Sequence, residues 1–177
     1  VNNQLTAILN YAVRYYGLRK NPCHQAGSIG KNKADEMNFW TREEFEQFIQ
    51  SVTDNENARM SFMVLYWTGM REGELFALTP EDIDLKEKKL RINKTYQRLH
   101  GQDIITSPKT TKSNRIVPLP SFLCDELRNY ILYRNATDTD RLFPFTKNYL
   151  SRAMTHYCDI SQVKRIRVHD IRHSHVS

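Results

Sequence analysis

The run Ala58-Arg59-Met60-Ser61-Phe62-Met63-Val64-Leu65-Tyr66-Trp67 is apolar on nearly every side of a helical projection, and it constrains the fold more than any other segment. A helix that is apolar all round has no face to give to water, so it belongs at the centre of a domain with other elements packed about it. Thr68-Gly69 follows, and a glycine in that place supplies the left-handed residue that ends a helix. The pattern predicts a central helix that stops at Gly69.

Several flanking segments have the faces needed to cover it. Thr41-Arg42-Glu43-Glu44 reads as a capping box, in which the threonine hydroxyl and the glutamate carboxylate each satisfy a free backbone N–H. Phe45, Phe48, Ile49 and Val52 then share one face. Residues 71–78 fit a short helix with Leu75 and Leu78 turned inward. Further helices are predicted at 122–134 and at 147–158, the latter with Leu150, Ala153, Met154 and Tyr157 on one side. A last helix is expected to start near His169.

Between residues 80 and 120 the period changes. Pro80-Glu81-Asp82-Ile83-Asp84 is turn-like, Leu90 and Ile92 alternate with polar neighbours, and Ile104-Ile105 and Ile116-Val117 are short β-branched runs. The simplest arrangement is a small three-stranded antiparallel sheet with a hairpin around Thr110 to Asn114. The expected fold class is α+β, mainly helical.

At the amino end Leu5, Ile8, Leu9, Ala12, Val13 and Tyr16 form an amphipathic stripe that stops near Gly17, and Asn21-Pro22 marks a break. Residues 21–38 have the polar, aperiodic composition of a linker. A lone helix on a linker cannot bury its own stripe. Residues 1–20 are therefore expected to be the last helix of an upstream domain, 21–38 a connector, and 39–177 the main domain.

The chain carries 26 Lys and Arg against 20 Asp and Glu, a net charge of +6, which favours a polyanionic partner such as nucleic acid. Its hydrophobic fraction of 40% suffices for a core, and no apolar run approaches the length of a membrane span. The 3 cysteines, Cys23, Cys124 and Cys158, have no close spacing, so neither a disulfide framework nor a zinc site is expected. A reducing cytoplasm suits that pattern.

Chemistry gathers in three places. Arg71 follows the central helix. Lys109 and Lys112 stand in Ser107-Pro108-Lys109-Thr110-Thr111-Lys112-Ser113-Asn114-Arg115, and His169 and Arg172 lie one turn apart near the end. Two guanidinium groups can grip the non-bridging oxygens of a phosphodiester and offset the extra charge of a pentacoordinate transition state without a metal. A lysine can protonate a leaving oxygen, and a histidine can move the proton of an attacking group. His169 and His173 stand at i, i+4, as the ligand pair of a zinc hydrolase does, but aspartate replaces the usual glutamate and no third ligand is evident. No metal and no cofactor are expected.

In this order the motifs resemble those of the tyrosine recombinases, in particular integrases of phages and conjugative transposons of Gram-positive bacteria. Thr68-Gly69-Met70-Arg71-Glu72-Gly73-Glu74-Leu75 is similar to the family's first arginine box. Pro108-Lys109-Thr110-Thr111-Lys112-Ser113 with Arg115-Ile116-Val117-Pro118-Leu119 is similar to its lysine hairpin, and His169-Asp170-Ile171-Arg172-His173-Ser174-His175 to its second box. The resemblance covers residues 39 to 177 and implies a site-specific recombinase that cleaves and rejoins DNA through a 3′-phosphotyrosyl intermediate.

It further implies that Arg71 and Arg172 clamp the scissile phosphate, that Lys109 is the general acid with Lys112 as the competing position, and that His169 assists proton transfer. Lys112, Arg115 and His173 are expected to contact DNA. Double-stranded attachment-site DNA and other integrase protomers are the implied partners, in a bacterial cytoplasm. None of the 9 tyrosines follows Arg172, so the nucleophile is expected beyond Ser177, making this a C-terminally truncated catalytic domain. A non-catalytic DNA-binding regulator and a type IB topoisomerase-like enzyme are the competing readings. The regulator would not need a hairpin lysine together with two arginines and His169.

Overall fold

The computed structural model describes residues 2–26, 38–106 and 114–175. The chain separates into two compact units, residues 1–37 and residues 38–177. In the first, helix α1 (Asn2–Tyr15) ends in a turn closed by hydrogen bonds from the Tyr16 and Leu18 N–H groups to the Ala12 carbonyl. Gly17 takes the positive φ of 68° that this turn requires. A short helix, α2 (Pro22–Ala26), occupies the start of the segment expected to be an aperiodic linker. Asn21 explains it. Its side-chain oxygen accepts from the Cys23 N–H, while its amide donates to the Thr6 carbonyl and to Asn10 Oδ1, tying the turn back to α1.

The second unit is built around helix α4 (Glu56–Thr68), in which eight of the nine residues from Ala58 to Tyr66, all but Arg59, are nearly inaccessible. Helices α3 (Arg42–Ser51), α5 (Glu72–Leu75), α6 (Ser121–Arg134), α7 (Lys147–Ser161) and α8 (Ile171–Ser174) all pack against it. The Thr41 capping box is formed: the Glu44 N–H donates to the Thr41 hydroxyl and the Thr41 N–H to the Glu44 carboxylate. Phe45, Phe48 and Val52 are buried as the pattern requires, with Ile49 partly covered at the edge. Gly69 ends α4 at φ 59°, in the left-handed region.

The β region differs from the sequence expectation in its pairing. A three-stranded antiparallel sheet is present, but its members are β1 (Ile83–Asp84), β2 (Lys89–Ile92) and β5 (Arg115–Pro118), in the order β1-β2-β5. Leu90 faces Ile83 on one side and Val117 on the other, and Ile92 faces Arg115. Ile104 and Ile105 do not join it. They lie on β4 (Gln102–Thr106), which among the described residues pairs with β3 (Thr95–Leu99) in a separate two-stranded hairpin. His100 and Gly101, both at positive φ, make the two-residue turn that suits this right-twisted ribbon, so a nearby partner captures the strand before a distant one can. Residues 107–113, which carry the expected hairpin tip with Lys109 and Lys112, lie outside the described residues.

The final helix also begins later than its motif suggests. Val168–Asp170 form a 3-10 turn, and α8 starts only at Ile171. The Asp170 carboxylate accepts from the Arg167 backbone N–H and grips the Arg167 side chain at 2.8 Å, which holds the chain in the tighter turn.

Candidate active site

The site starts where α4 ends. Gly69 turns the chain, Met70 is buried, and Arg71 takes an extended conformation as the residue that opens α5. Glu74, on the first turn of α5, is 6% exposed, and its carboxylate is the hub of the site. It accepts from the Arg71 backbone N–H at 2.8 Å and from Arg71 Nη1 at 3.1 Å. Arg115, the first residue of β5, completes the set with a fork: Nη1 to Oε1 at 3.1 Å and Nη2 to Oε2 at 2.8 Å. Burial pushes the Glu74 carboxyl upward, but the bonds from Arg115 and Arg71 outweigh it and hold Glu74 below the ordinary carboxylate range.

Gly73 is what allows α5 to lie so close to β3. A Cβ there would meet Thr95 Oγ1 at 2.7 Å and the Tyr96 carbonyl at 3.0 Å.

Arg172 comes from the opposite end of the sequence, on α8. Three contacts hold that helix in place: its packing on α4, the Asp170 grip on Arg167, and the Ser174 hydroxyl, which accepts the Trp40 N–H at 2.8 Å. Burial lowers the Arg172 pKa, and the charges of Arg71 and Arg115 lower it further, with Glu74 opposing. Arg172 Nη1 is buried with no hydrogen-bond partner among the described residues. Two guanidinium groups, of Arg71 and Arg115, thus bind one carboxylate, a third, of Arg172, lies within electrostatic range of it, and an N–H donor of Arg172 is left without an acceptor among the described residues. A buried donor without an acceptor is costly, and an anion between Arg71 and Arg172 removes the cost.

Arg71 and Arg172, expected at one site, lie within electrostatic range of each other. His169 lies on the exposed side of the 3-10 turn, with its ring 6.1 Å from that of His173 in an edge-on arrangement. Among the described residues no group of three or more His, Cys, Asp or Glu side chains gathers in a metal-binding arrangement. Arg115, expected to face DNA, is turned onto Glu74. The sequence motif assigns Glu74 no role of its own. Its signal is an acid three residues after Arg71, but Glu72 stands closer still in sequence, and only the fold, which buries Glu74 and brings Arg115 to it, separates the two.

The model of the phage integrase family matches residues 38–177, the whole of the second unit. The chain belongs to that family. The ICEBs1 integrase of Bacillus subtilis (strain 168) is 33% identical over 196 residues, an alignment covering 100% of this chain and 53% of that protein. The integrase of Mycobacterium phage L5 is 29% identical over 186 residues, covering 96% of this chain and 48% of its own. This integrase-family chain therefore spans about half the length of the relatives it matches.

Among solved structures, the Tn1549 transposon integrase in complex with transposon right end DNA superimposes with a TM-score of 0.81 at 19% identity, covering 98% of this chain and 63% of that one. The XerA recombinase follows at 0.62 and 20% identity, covering 97% and 57%. At those identities the likeness establishes the fold, a mainly helical tyrosine-recombinase catalytic domain with small antiparallel sheets.

Proposed function

We propose that this chain supplies the phosphate-gripping part of a site-specific DNA recombinase that cuts and rejoins duplex DNA through a 3′-phosphotyrosyl intermediate. One observation carries the reading: the buried Nη1 of Arg172, without a hydrogen-bond partner among the described residues, lies in a site already rich in guanidinium charge, which suits an anion. Family membership and the DNA bound by the Tn1549 integrase support duplex DNA as the source of that anion. The substrate is then attachment-site DNA, met in the bacterial cytoplasm alongside further protomers.

In this mechanism a tyrosine oxygen attacks the phosphorus, and the bond from phosphorus to the 5′-oxygen breaks. Arg71 and Arg172 hold the non-bridging oxygens and offset the charge that develops on them, an interaction strongest in the transition state. His169 assists transfer of the tyrosine proton, and Lys109, with Lys112 as the alternative, protonates the departing 5′-oxygen. Rejoining reverses the steps with a new 5′-hydroxyl. Lys112 and His173 face the DNA backbone. Residues 1–20 serve as the last helix of an upstream core-binding domain, 21–38 as a connector and 39–177 as catalytic domain, with the nucleophilic tyrosine contributed from outside this chain.

The test is covalent-complex formation by the full-length protein on a suicide duplex carrying its attachment site. Arg71→Ala and Arg172→Ala are each expected to slow adduct formation by about 100- to 1,000-fold, the range for losing one preorganised donor to a transition-state oxyanion. DNA affinity, spread over many phosphate contacts, should change little. Undiminished cleavage by either variant would sink the reading.

A further inference from the structure

We propose that Arg115 is a positioning residue for strand cleavage, acting through Glu74 on Arg71 rather than on DNA; the assignment rests on the recombinase reading above. The geometry is a relay. Arg115 is held by β5, whose pairing with β2 sets it opposite Ile92. Its guanidinium forks onto both oxygens of Glu74, at 2.8 and 3.1 Å, and Glu74 in turn binds the backbone and the Nη1 of Arg71. Exposure follows the same order: the Glu74 side chain is 5% accessible, Arg115 27% and Arg71 53%, so the group nearest to solvent is the one left to meet a ligand.

The electrostatics explain why the relay needs Arg115. A carboxylate as buried as Glu74 requires its lone pairs filled and its charge offset. With Arg115 in place, Arg71 need give Glu74 only one side-chain donor. Without it, Glu74 must either take more of the Arg71 guanidinium or gain a proton. The first pulls Arg71 off the phosphate, and the second frees it to wander.

The experiment uses the full-length protein with Arg115→Gln, Arg115→Lys, Glu74→Gln and the Glu74→Gln/Arg115→Gln pair. It measures adduct formation, DNA affinity across a salt series, and thermal unfolding. Arg115→Gln should slow cleavage about 100-fold, the cost of misplacing a catalytic group by about an ångström, while affinity and its salt slope hold. Arg115→Lys should recover part of the rate, because an ammonium keeps the charge against Glu74 but cannot fork. The double variant should be no slower than Glu74→Gln alone, since both changes break one relay. A salt slope reduced by about one unit in Arg115→Gln would show a lost phosphate contact and overturn the assignment. So would wild-type cleavage, and if Arg115→Gln does not fold, wild-type cleavage by Arg115→Lys decides against it equally. Loss of cleavage in Arg71→Ala beside intact Arg115 variants removes this assignment alone, whereas an active Arg71→Ala removes the recombinase reading with it.

Discussion

The Ser174 hydroxyl accepts a 2.8 Å hydrogen bond from the backbone N–H of Trp40, joining the first residues of the second unit to its last helix across 134 positions of sequence. Both groups are buried, and the bond sits two residues from Arg172, so it sets the depth at which that guanidinium enters the site. Ser174→Ala leaves the Trp40 N–H buried without an acceptor. That should cost about 1–3 kcal/mol, read as a lower urea midpoint at unchanged m-value. A variant as stable as the parent would mean that α8 is held by its apolar contacts alone.

Gly69 carries two separate demands. Its φ of 59° disfavours residues with a Cβ, and a Cβ there would stand 2.8 Å from Cδ2 of His175. Gly69→Ala meets both penalties, and the backbone term alone should cost about 1–2 kcal/mol. Asparagine tolerates the left-handed region but still brings a Cβ, so Gly69→Asn isolates the steric part. Thermal unfolding of both variants separates them: equal losses assign the cost to His175, and a harmless asparagine assigns it to the backbone.

Asp170 and Glu74 make the unit sensitive to acid. The hydrogen bond from Arg167 holds the Asp170 carboxyl below its ordinary value despite burial, and Glu74 is likewise depressed once Arg115 and Arg71 overcome its burial. A carboxyl whose folded pKa lies below its unfolded one stabilises fully above the unfolded value, about 3.9 for Asp and 4.3 for Glu. That contribution disappears as pH falls through the folded value. Arg167→Ala should bring Asp170 back toward its unfolded pKa, lowering stability at neutral pH and flattening the loss below about pH 4. Urea unfolding across an acid series measures both effects, and an unchanged acid limb would show that Asp170 is held by something other than Arg167.

How much of this was legible in the sequence depends on the range of the contact. The central helix, the Thr41 capping box and the Gly69 stop were readable because each rests on residues within about one or two helical turns of each other. The β3–β4 hairpin was not, since Thr95 to Thr106 alternate too weakly to be seen and His100-Gly101 is a less familiar turn than Asn-Gly. The arginines of the site could be named from their motifs, but which carboxylate joins them could not. Glu72 and Glu74 differ only in the face of a four-residue helix that α4 and β3 cover, and Arg115 reaches Glu74 from 41 positions away. Such a bridge exists only once the sheet is paired.

Tyr157 donates to the Asp54 carboxylate, and burial together with that bond pushes its hydroxyl up to about 12. Tyr149 donates to Asn55 at 2.7 Å and is raised by burial, and Tyr130, bonded to Asn57, is raised further still. A phenol already bonded to a fixed acceptor must give up that bond before it can attack phosphorus. Tyr130 and Tyr157 belong to the buried core, and Tyr149 packs partly covered against it. The 177-residue chain should therefore bind duplex DNA with a steep loss of affinity as salt rises, yet form no covalent adduct on a suicide substrate that the full-length protein cleaves. An adduct formed by the chain itself, mapped by peptide sequencing to one of these tyrosines, would show that the nucleophile lies within residues 1–177 and that the proposed division of the active site is wrong.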